Sequence, residues 1–135
     1  MYLLDTNILS ELPKKSPNKN LILRLEGIPL ASLYTASICV MELRYGALRR
    51  GNPADLWSKI EKSILSKVRI LNFSYKKDAL KAAELLSELY FIGQPIGVED
   101  VMIGAIALSN CLVVVSANTK HFSRITDLKS ENWLL

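Results

Sequence analysis

MYLLDTN, residues 1–7, places an acidic residue directly after a run of large apolar side chains. Met1 to Leu4 have the composition of a short buried strand, and the polar residues after Asp5 suit the start of a helix. In open α/β sheets, ligands and catalytic groups gather beyond the carboxyl ends of the strands. Asp5 is therefore predicted either to cap the next helix or to take part in chemistry.

The remaining sequence alternates short apolar runs with segments of helical spacing. The predicted strands are residues 1–5, Leu33–Ala36, Val68–Leu71 and Cys111–Val115, with an edge strand near Trp133. The predicted helices are Asn7–Leu12, Leu21–Glu26, Ser37–Gly51, Ala54–Ser66, Ser74–Phe91, a helix that follows the loop IGVED (96–100) and lasts to Ser109, and a short helix in the C-terminal tail. Strands that alternate with helices predict right-handed crossovers and an α/β fold with a parallel sheet.

Local signals add helix ends and buried faces to this prediction. Capping or terminating roles are expected for Thr6, Pro13, Gly27 in a left-handed conformation, Asn52 followed by Pro53, Ser74 and Gly93. Buried faces are expected for Ile38, Met41, Tyr45 and Leu48 on one helix, and for Ala79, Ala82, Ala83, Leu86 and Leu89 on another.

The composition indicates a single packed domain that spans residues 1–135. The chain has 135 residues, of which 50% are hydrophobic and 22% are charged, so it can build a core without disulfides or metal staples. This balance excludes a disordered tail. The net charge of +4 permits a polyanionic partner but does not require one.

Cysteine usage and the N-terminus favour a cytoplasmic protein. Cys39 and Cys111 stand far apart with no CxxC pattern, and both are expected to be buried, reduced core thiols. Asp5 interrupts the apolar start and no basic segment precedes it, so no signal peptide is expected. The uncharged stretch 101–119 contains polar interruptions and is interpreted as helix, turn and strand instead of a membrane span.

Three acids and an amide lie beside strand ends in this arrangement. Asp5 ends the first strand, and Glu42 lies in the second turn of the helix after the second strand. Asp100 begins the helix that leads to the most apolar strand, and Asn118 follows that strand. Because parallel strands all exit at one edge of the sheet, these four side chains are expected to meet in one cleft.

Such a cleft needs a compensating charge. Two carboxylates about 4 Å apart repel by about 4 kcal/mol at an effective dielectric constant near 20. Either a proton is shared with a raised pKa, or a cation binds. Carboxylates are hard donors that suit Mg²⁺ or Mn²⁺, and the single histidine, His121, excludes a His-rich zinc site. The leading use of Mg²⁺ held by acids is to bind a phosphate oxygen and to lower the pKa of an attacking water.

Each of these residues also has a structural interpretation. Asp5 alone suits a helix cap, and Glu42 alone suits a solvated helix face. Asp100 and its neighbour Glu99 both favour the positive end of a helix dipole, and Asn118 is a common turn residue. All four residues are predicted at one edge of the sheet, and a shared function explains this better than four separate structural roles.

Four segments resemble the motifs of the PIN-domain ribonucleases, in the same order and spacing. They are LLDTN (3–7), MELRYGALRR (41–50), IGVEDVMIGAIAL (96–108) and LVVVSANTKHFSRI (112–125). The resemblance covers nearly the whole chain and is nearest to the VapC-type toxins of type II toxin–antitoxin pairs. It implies a PIN-like three-layer α/β/α sandwich with a central, mostly parallel sheet of four to five strands.

The resemblance also assigns roles to individual residues. It implies that Asp5, Glu42 and Asp100 hold Mg²⁺, with Mn²⁺ as a substitute, and that Asn118 completes the catalytic set. Contacts to substrate or antitoxin are expected from Thr6, Arg44, Ser116 and Lys120. The implied activity is Mg²⁺-dependent endoribonuclease cleavage of RNA, and the implied partners are a VapB-like antitoxin and a second copy in a homodimer.

The chain departs from the family pattern near its fourth motif. Many members carry an acid at the position of Asn118 or three residues later, where His121 stands here. Asn118 can still offer a neutral oxygen or orient a water. One well-held ion is therefore expected, with a second recruited by substrate phosphate.

Two other functions stay open from the sequence alone. One is a phospho-accepting receiver-like domain, but its usual pair of early acids is reduced here to the solitary Asp5. The other is a catalytically weak or inactive PIN-like module that binds RNA or protein, which the missing fourth acid favours. Basic residues that could contact phosphates in the active version are Arg44, Arg49, Arg50, Lys120 and Arg124.

Overall fold

The sheet is five-stranded and parallel throughout, in the computed structural model, which describes residues 1–51 and 53–135. The strands are β1 (Tyr2–Leu4), β2 (Leu33–Ala36), β3 (Arg69–Leu71), β4 (Val113–Val115) and β5 (Ser130–Glu131), in the order β3-β2-β1-β4-β5. β1 is therefore central and pairs with β2 on one side and β4 on the other. The predicted parallel α/β sheet is confirmed.

Helices occupy the connections between these strands. They are α1 (Thr6–Leu9), α2 (Lys19–Glu26), α3 (Ser37–Leu48), α4 (Pro53–Ile60), α5 (Leu80–Phe91), α6 (Val98–Ser109) and α7 (Thr119–Phe122). Short π-helical segments, Glu61–Leu65 and Tyr75–Ala79, extend α4 and precede α5. Flanking helices on this sheet give the three-layer α/β/α architecture that the resemblance implied, although β4 and α1 are shorter than predicted.

The buried face of α3 differs from the predicted one. Its buried residues are Ile38, Cys39, Leu43 and Ala47. Met41, Tyr45 and Leu48 were expected inside, but their exposed fractions are 56%, 62% and 54%. The helix has apolar residues on two faces. Only the face that carries Cys39 and the residues four and eight positions later packs against the core.

Further expectations about helix ends and burial are also corrected. Asp5, and not Thr6, is the N-cap of α1. Gly27 has a φ of −86° and is not left-handed. Gly93 follows the end of α5 as predicted, and it is the glycine with a positive φ, +70°, among the residues that the structure describes. Ala83, Leu86 and Cys111 are exposed instead of buried. Asn52, the predicted cap before α4, lies outside the described residues.

Ser74 does not cap its helix in the expected direction. Its backbone N–H and its hydroxyl both donate to Asp78 Oδ2, at 2.8 and 3.0 Å. Asp78 is 3% exposed, so this buried carboxylate ties the loop after β3 to the start of the long helix.

The C-terminal segment is fastened to the rest of the domain by aromatic and ionic contacts. Trp133 is buried, contacts the Tyr2 ring at 4.8 Å between centroids, and donates from Nε1 to Glu131 Oε2 at 2.6 Å. Arg24 on α2 binds the same Glu131 oxygen at 2.7 Å. These contacts hold β5 as the edge strand beside β4.

No helix in the described part of the chain combines the length and apolar character needed to cross a bilayer.

Candidate active site

Asp5 lies where β1 ends and α1 begins, at the carboxyl edge of the sheet. Its side chain is 4% exposed. Oδ1 accepts from the Thr6 backbone N–H at 2.8 Å, which makes Asp5 the cap of α1. Oδ2 accepts from the Ser116 hydroxyl at 2.7 Å, across from the end of β4. The carboxylate is therefore both a helix cap and a buried charge shared between two strand ends.

Glu42 joins Asp5 from the second turn of α3. The Thr6 hydroxyl donates to Glu42 Oε1 at 2.7 Å and orients this half-buried carboxylate. Cys39, one helical turn earlier, places Sγ 3.9 Å from Asp5 Oδ1. Ligand atoms of Asp5, Cys39 and Glu42 all lie within 4.8 Å of one another.

Asp100 approaches this group from the first turn of α6 but is not one of its three members. Its charge acts on both neighbours, since it contributes to the raised pKa of Asp5 and of Glu42. Asp100 Oδ2 lies 2.8 Å from His121 Nδ1 on α7. Glu99, the adjacent acid, is exposed, as the sequence predicted.

Asn118 and Ser116 occupy the turn after β4. Ser116 is fully buried, and its hydroxyl oxygen accepts from the Asn118 backbone N–H at 2.9 Å. The Asn118 side chain is exposed and forms no hydrogen bond to any residue that the structure describes. Asn7 connects the two strand ends, because its Oδ1 accepts from the Ala117 backbone N–H at 3.0 Å and its Nδ2 donates to Ser116 Oγ at 3.3 Å.

The electrostatics of the site favour neutralisation. Burial raises the pKa of Asp5, hydrogen bonds from Ser116 and Thr6 oppose that shift, and the charge of Asp100 adds to it. Burial also raises the pKa of Glu42, and the charges of Asp5 and Asp100 add to that effect. Holding these carboxylates ionised together costs free energy that a bound cation would offset.

The donor set fits a hard divalent cation. Asp5, Glu42 and Asp100 offer carboxylate oxygens, and Asn118 offers an amide oxygen at the same edge. Burial, with the Asp5 charge, raises the pKa of Cys39 to about 12, so the thiol is protonated at neutral pH in the metal-free protein and its coordination to a metal would carry the cost of removing that proton. A soft-metal cysteine site is thus disfavoured, and Mg²⁺ or Mn²⁺ matches the residues present.

The basic residues near the site differ in what they contact. Arg50 lines a groove of about 330 Å³ that opens beside Thr6 and Glu42. Arg44 instead stacks over the Trp57 ring at 5.2 Å, and Arg49 over Tyr45 at 5.6 Å. Lys120 is exposed on α7, and Arg124 donates to the Pro95 carbonyl at 3.1 Å.

Sequence reasoning missed three contributors to this site. Cys39 was assigned to the core with no mention of Asp5, although it stands one helical turn before Glu42. His121 was noted only as the single histidine and as a departure from the family pattern, yet it contacts Asp100. Asn7 was predicted only as the start of the first helix, and its bridge to the end of β4 depends on strand pairing.

The protein therefore belongs to the class of α/β domains in which acidic side chains form a cation-binding type of site at the carboxyl edge of a parallel sheet. Residues 2–128 match the PIN domain model. Ribonuclease VapC2 of Haemophilus influenzae is 35% identical over 133 residues, which are 98% of this chain and 98% of that protein. The tRNA(fMet)-specific endonuclease VapC of Shigella flexneri is 30% identical over 132 residues, 98% of this chain and 97% of that protein.

A solved structure agrees with these relatives. The crystal structure of VapBC2 from Rickettsia felis bound to a DNA fragment from their promoter has a chain that superposes with a TM-score of 0.88 at 32% identity. The match covers 98% of this chain and 98% of that one. The chain belongs to the PIN domain family, in its VapC branch.

Proposed function

We propose that this protein is a Mg²⁺-dependent endoribonuclease that acts as the toxin of a toxin–antitoxin pair. The observation that carries the proposal is the approach of Asp5 and Glu42, whose carboxylate oxygens lie within 4.8 Å of each other at the carboxyl edge of the sheet. Relatives of nearly the same length are named ribonuclease and endonuclease VapC. A nuclease is therefore the activity that family and site jointly favour.

In this proposal Asp5, Glu42 and Asp100 hold the metal. When bound, Mg²⁺ neutralises charge on the scissile phosphate and makes a water acidic enough to attack it in line. These residues would keep their charges at the site, because a bound cation would offset the cost of ionising carboxylates whose pKa is raised by burial and further by their mutual repulsion.

The residues around the acids orient them and the substrate. Thr6 fixes Glu42 through its hydroxyl, and Ser116 fixes Asp5. Asn118, with a side chain that is exposed at the same edge, orients water or a phosphate oxygen. Lys120 and Arg44 supply positive charge for the RNA backbone or for an acidic antitoxin group.

Water as the nucleophile leaves 5′-phosphate and 3′-hydroxyl ends and does not use the RNA 2′-hydroxyl as a reactant. A single deoxyribose at the cut site should then slow cleavage only through binding. A cyclic phosphate product from all-RNA substrate, with complete loss of cleavage of the deoxy variant, would eliminate this mechanism.

The proposed partners are an antitoxin and a second copy of the chain in the cytoplasm. The solved relative is a VapBC complex, which supports a VapB-like antitoxin. Exposed apolar side chains on α3 and at the end of α5 supply surface for a homodimer. They are Met41, Tyr45, Leu48, Tyr90, Phe91 and Ile92.

The deciding experiment is RNA cleavage by purified protein with Mg²⁺ and with EDTA. Glu42→Gln and Asp100→Asn should abolish cleavage without unfolding the protein. Glu99→Gln is the matched control, because Glu99 neighbours Asp100 on α6 but is exposed, and it should retain activity. Binding of RNA or antitoxin without Mg²⁺-dependent cleavage would instead support the inactive binding module.

A further inference from the structure

His121 makes a direct contact with one of the proposed metal ligands. Its Nδ1 lies 2.8 Å from Asp100 Oδ2, a short distance typical of a hydrogen bond to a charged acceptor. The proposed metal site requires Asp100 as a carboxylate, which can only accept hydrogen bonds, so in that state His121 Nδ1 is the donor in this contact. This contact leaves Asp100 Oδ1 without a hydrogen bond from the described residues.

The backbone of His121 is held in place by the way that α7 docks on α6. Phe122, the next residue, is fully buried and anchors α7 in the core. Ile125 packs so closely on α6 that a Cβ at Gly104 would lie 2.6 Å from its Cδ1. Arg124 donates to the Pro95 carbonyl just before α6. These contacts fix the distance between His121 and the first turn of α6.

We infer that His121 is a positioning residue that holds the Asp100 carboxylate so that Oδ1 faces the acidic site. This inference rests on the proposed function, since it assigns Asp100 to a metal site. A partner that orients a metal-binding carboxylate typically contributes tenfold to hundredfold in metal affinity.

The test compares three substitutions that differ in the atom they place beside Asp100. His121→Ala removes the donor. His121→Asn returns an N–H donor near the position of Nδ1, whereas His121→Gln returns one near Nε2. Binding of Mn²⁺ is measured by calorimetry, and thermal unfolding in EDTA reports on the fold.

We expect His121→Ala to weaken Mn²⁺ binding about tenfold while the Tm in EDTA stays within about 2 °C of wild type. His121→Asn should recover most of the affinity and His121→Gln should not. Unchanged Mn²⁺ affinity in His121→Ala, or equal recovery by Asn and Gln, would overturn the inference.

Two further measurements separate this inference from the proposed function. Asp100→Asn should also weaken Mn²⁺ binding, so a loss there without a loss in His121→Ala would reject only the positioning role. Unchanged binding in both variants would reject the Asp100 metal role as well. Since the chain has a single histidine, ¹⁵N NMR of metal-free protein reads its tautomer directly, and a neutral ring unprotonated at Nδ1 would contradict the donor geometry.

Discussion

Replacing Asp5 by Asn should stabilise the metal-free protein, because Asp5 carries a buried charge next to Glu42. Their ligand oxygens lie within 4.8 Å of each other, and two charges at that limiting distance repel by about 3.5 kcal/mol at an effective dielectric constant of about 20. Asn keeps the cap of α1, since it accepts from the Thr6 N–H as well as Asp does. The bonds from Thr6 and Ser116 lose their charge assistance, at about 1 kcal/mol each.

The balance is a gain of about 1.5 kcal/mol in the free energy of unfolding, which for a chain of this length raises the Tm by about 5 °C. Mg²⁺ should make the wild type more stable than Asp5→Asn. At a concentration about a hundredfold above its dissociation constant, Mg²⁺ adds about 2.7 kcal/mol to the wild type and little to Asp5→Asn.

The gain in the free energy of unfolding from Asp5→Asn should increase with pH. Burial raises the folded-state pKa of Asp5 above its ordinary value of 3.8. Below pH 3.8 the acid is protonated whether the chain is folded or not, so the wild type has no penalty. As pH rises through the folded-state pKa, the unfolded chain ionises more easily and the wild type loses stability. The stabilisation by Asn should therefore be absent in acid and should grow as the pH rises above 3.8 through the folded-state pKa of Asp5.

Thermal and urea unfolding in EDTA and in Mg²⁺, at several pH values, measure all these effects. Asp78→Asn is the matched control, because Asp78 is 3% exposed and accepts two hydrogen bonds from Ser74. It should lower stability by about 1 to 3 kcal/mol equally in EDTA and Mg²⁺. Destabilisation by Asp5→Asn in EDTA at pH 7, or equal Mg²⁺ stabilisation of that variant and wild type, would refute the reasoning.

Three other predictions follow from single contacts. Thr6→Val keeps the side-chain shape but removes the hydrogen-bond donor to Glu42. The Mn²⁺ affinity measured by calorimetry and the cleavage rate should both fall, while the Tm in EDTA changes by less than about 3 °C. An unchanged affinity would argue against an orienting role for Thr6. Gly104→Ala should lower the free energy of unfolding in urea by about 1 kcal/mol, because overpacking against Ile125 exceeds the gain in helix propensity. In a protein that also carries Ile125→Val, the same change should raise that free energy. A destabilisation there would show that the strain lies elsewhere. Trp133→Ala should cost about 3 to 5 kcal/mol by removing a buried ring that contacts Tyr2 and Arg24, and a loss under 1 kcal/mol would show that the C-terminal segment contributes little.

The sequence alone was enough to predict the sheet and the place of the acids. Apolar runs such as Leu112–Val115 suit strands buried on both faces, and such strands joined by helices must be parallel. Parallel strands exit at one edge, which places Asp5 and the start of the helix that carries Glu42 on the same side of the sheet. The end of the long helix at Gly93 was also predictable, but its left-handed conformation was expected at Gly27 instead.

Only the tertiary structure decided which of two apolar helix faces is buried and which side chains meet at the site. Helix α3 has apolar residues on two faces, and the packing against its neighbours chose Cys39 and Leu43 over Met41 and Tyr45. The contact of His121 with Asp100 depends on how α7 lies against α6. Periodicity describes one element at a time, whereas burial and side-chain contact depend on neighbours that are distant in the chain. The sequence therefore determines where the charges gather, and packing determines which side chains hold them in position.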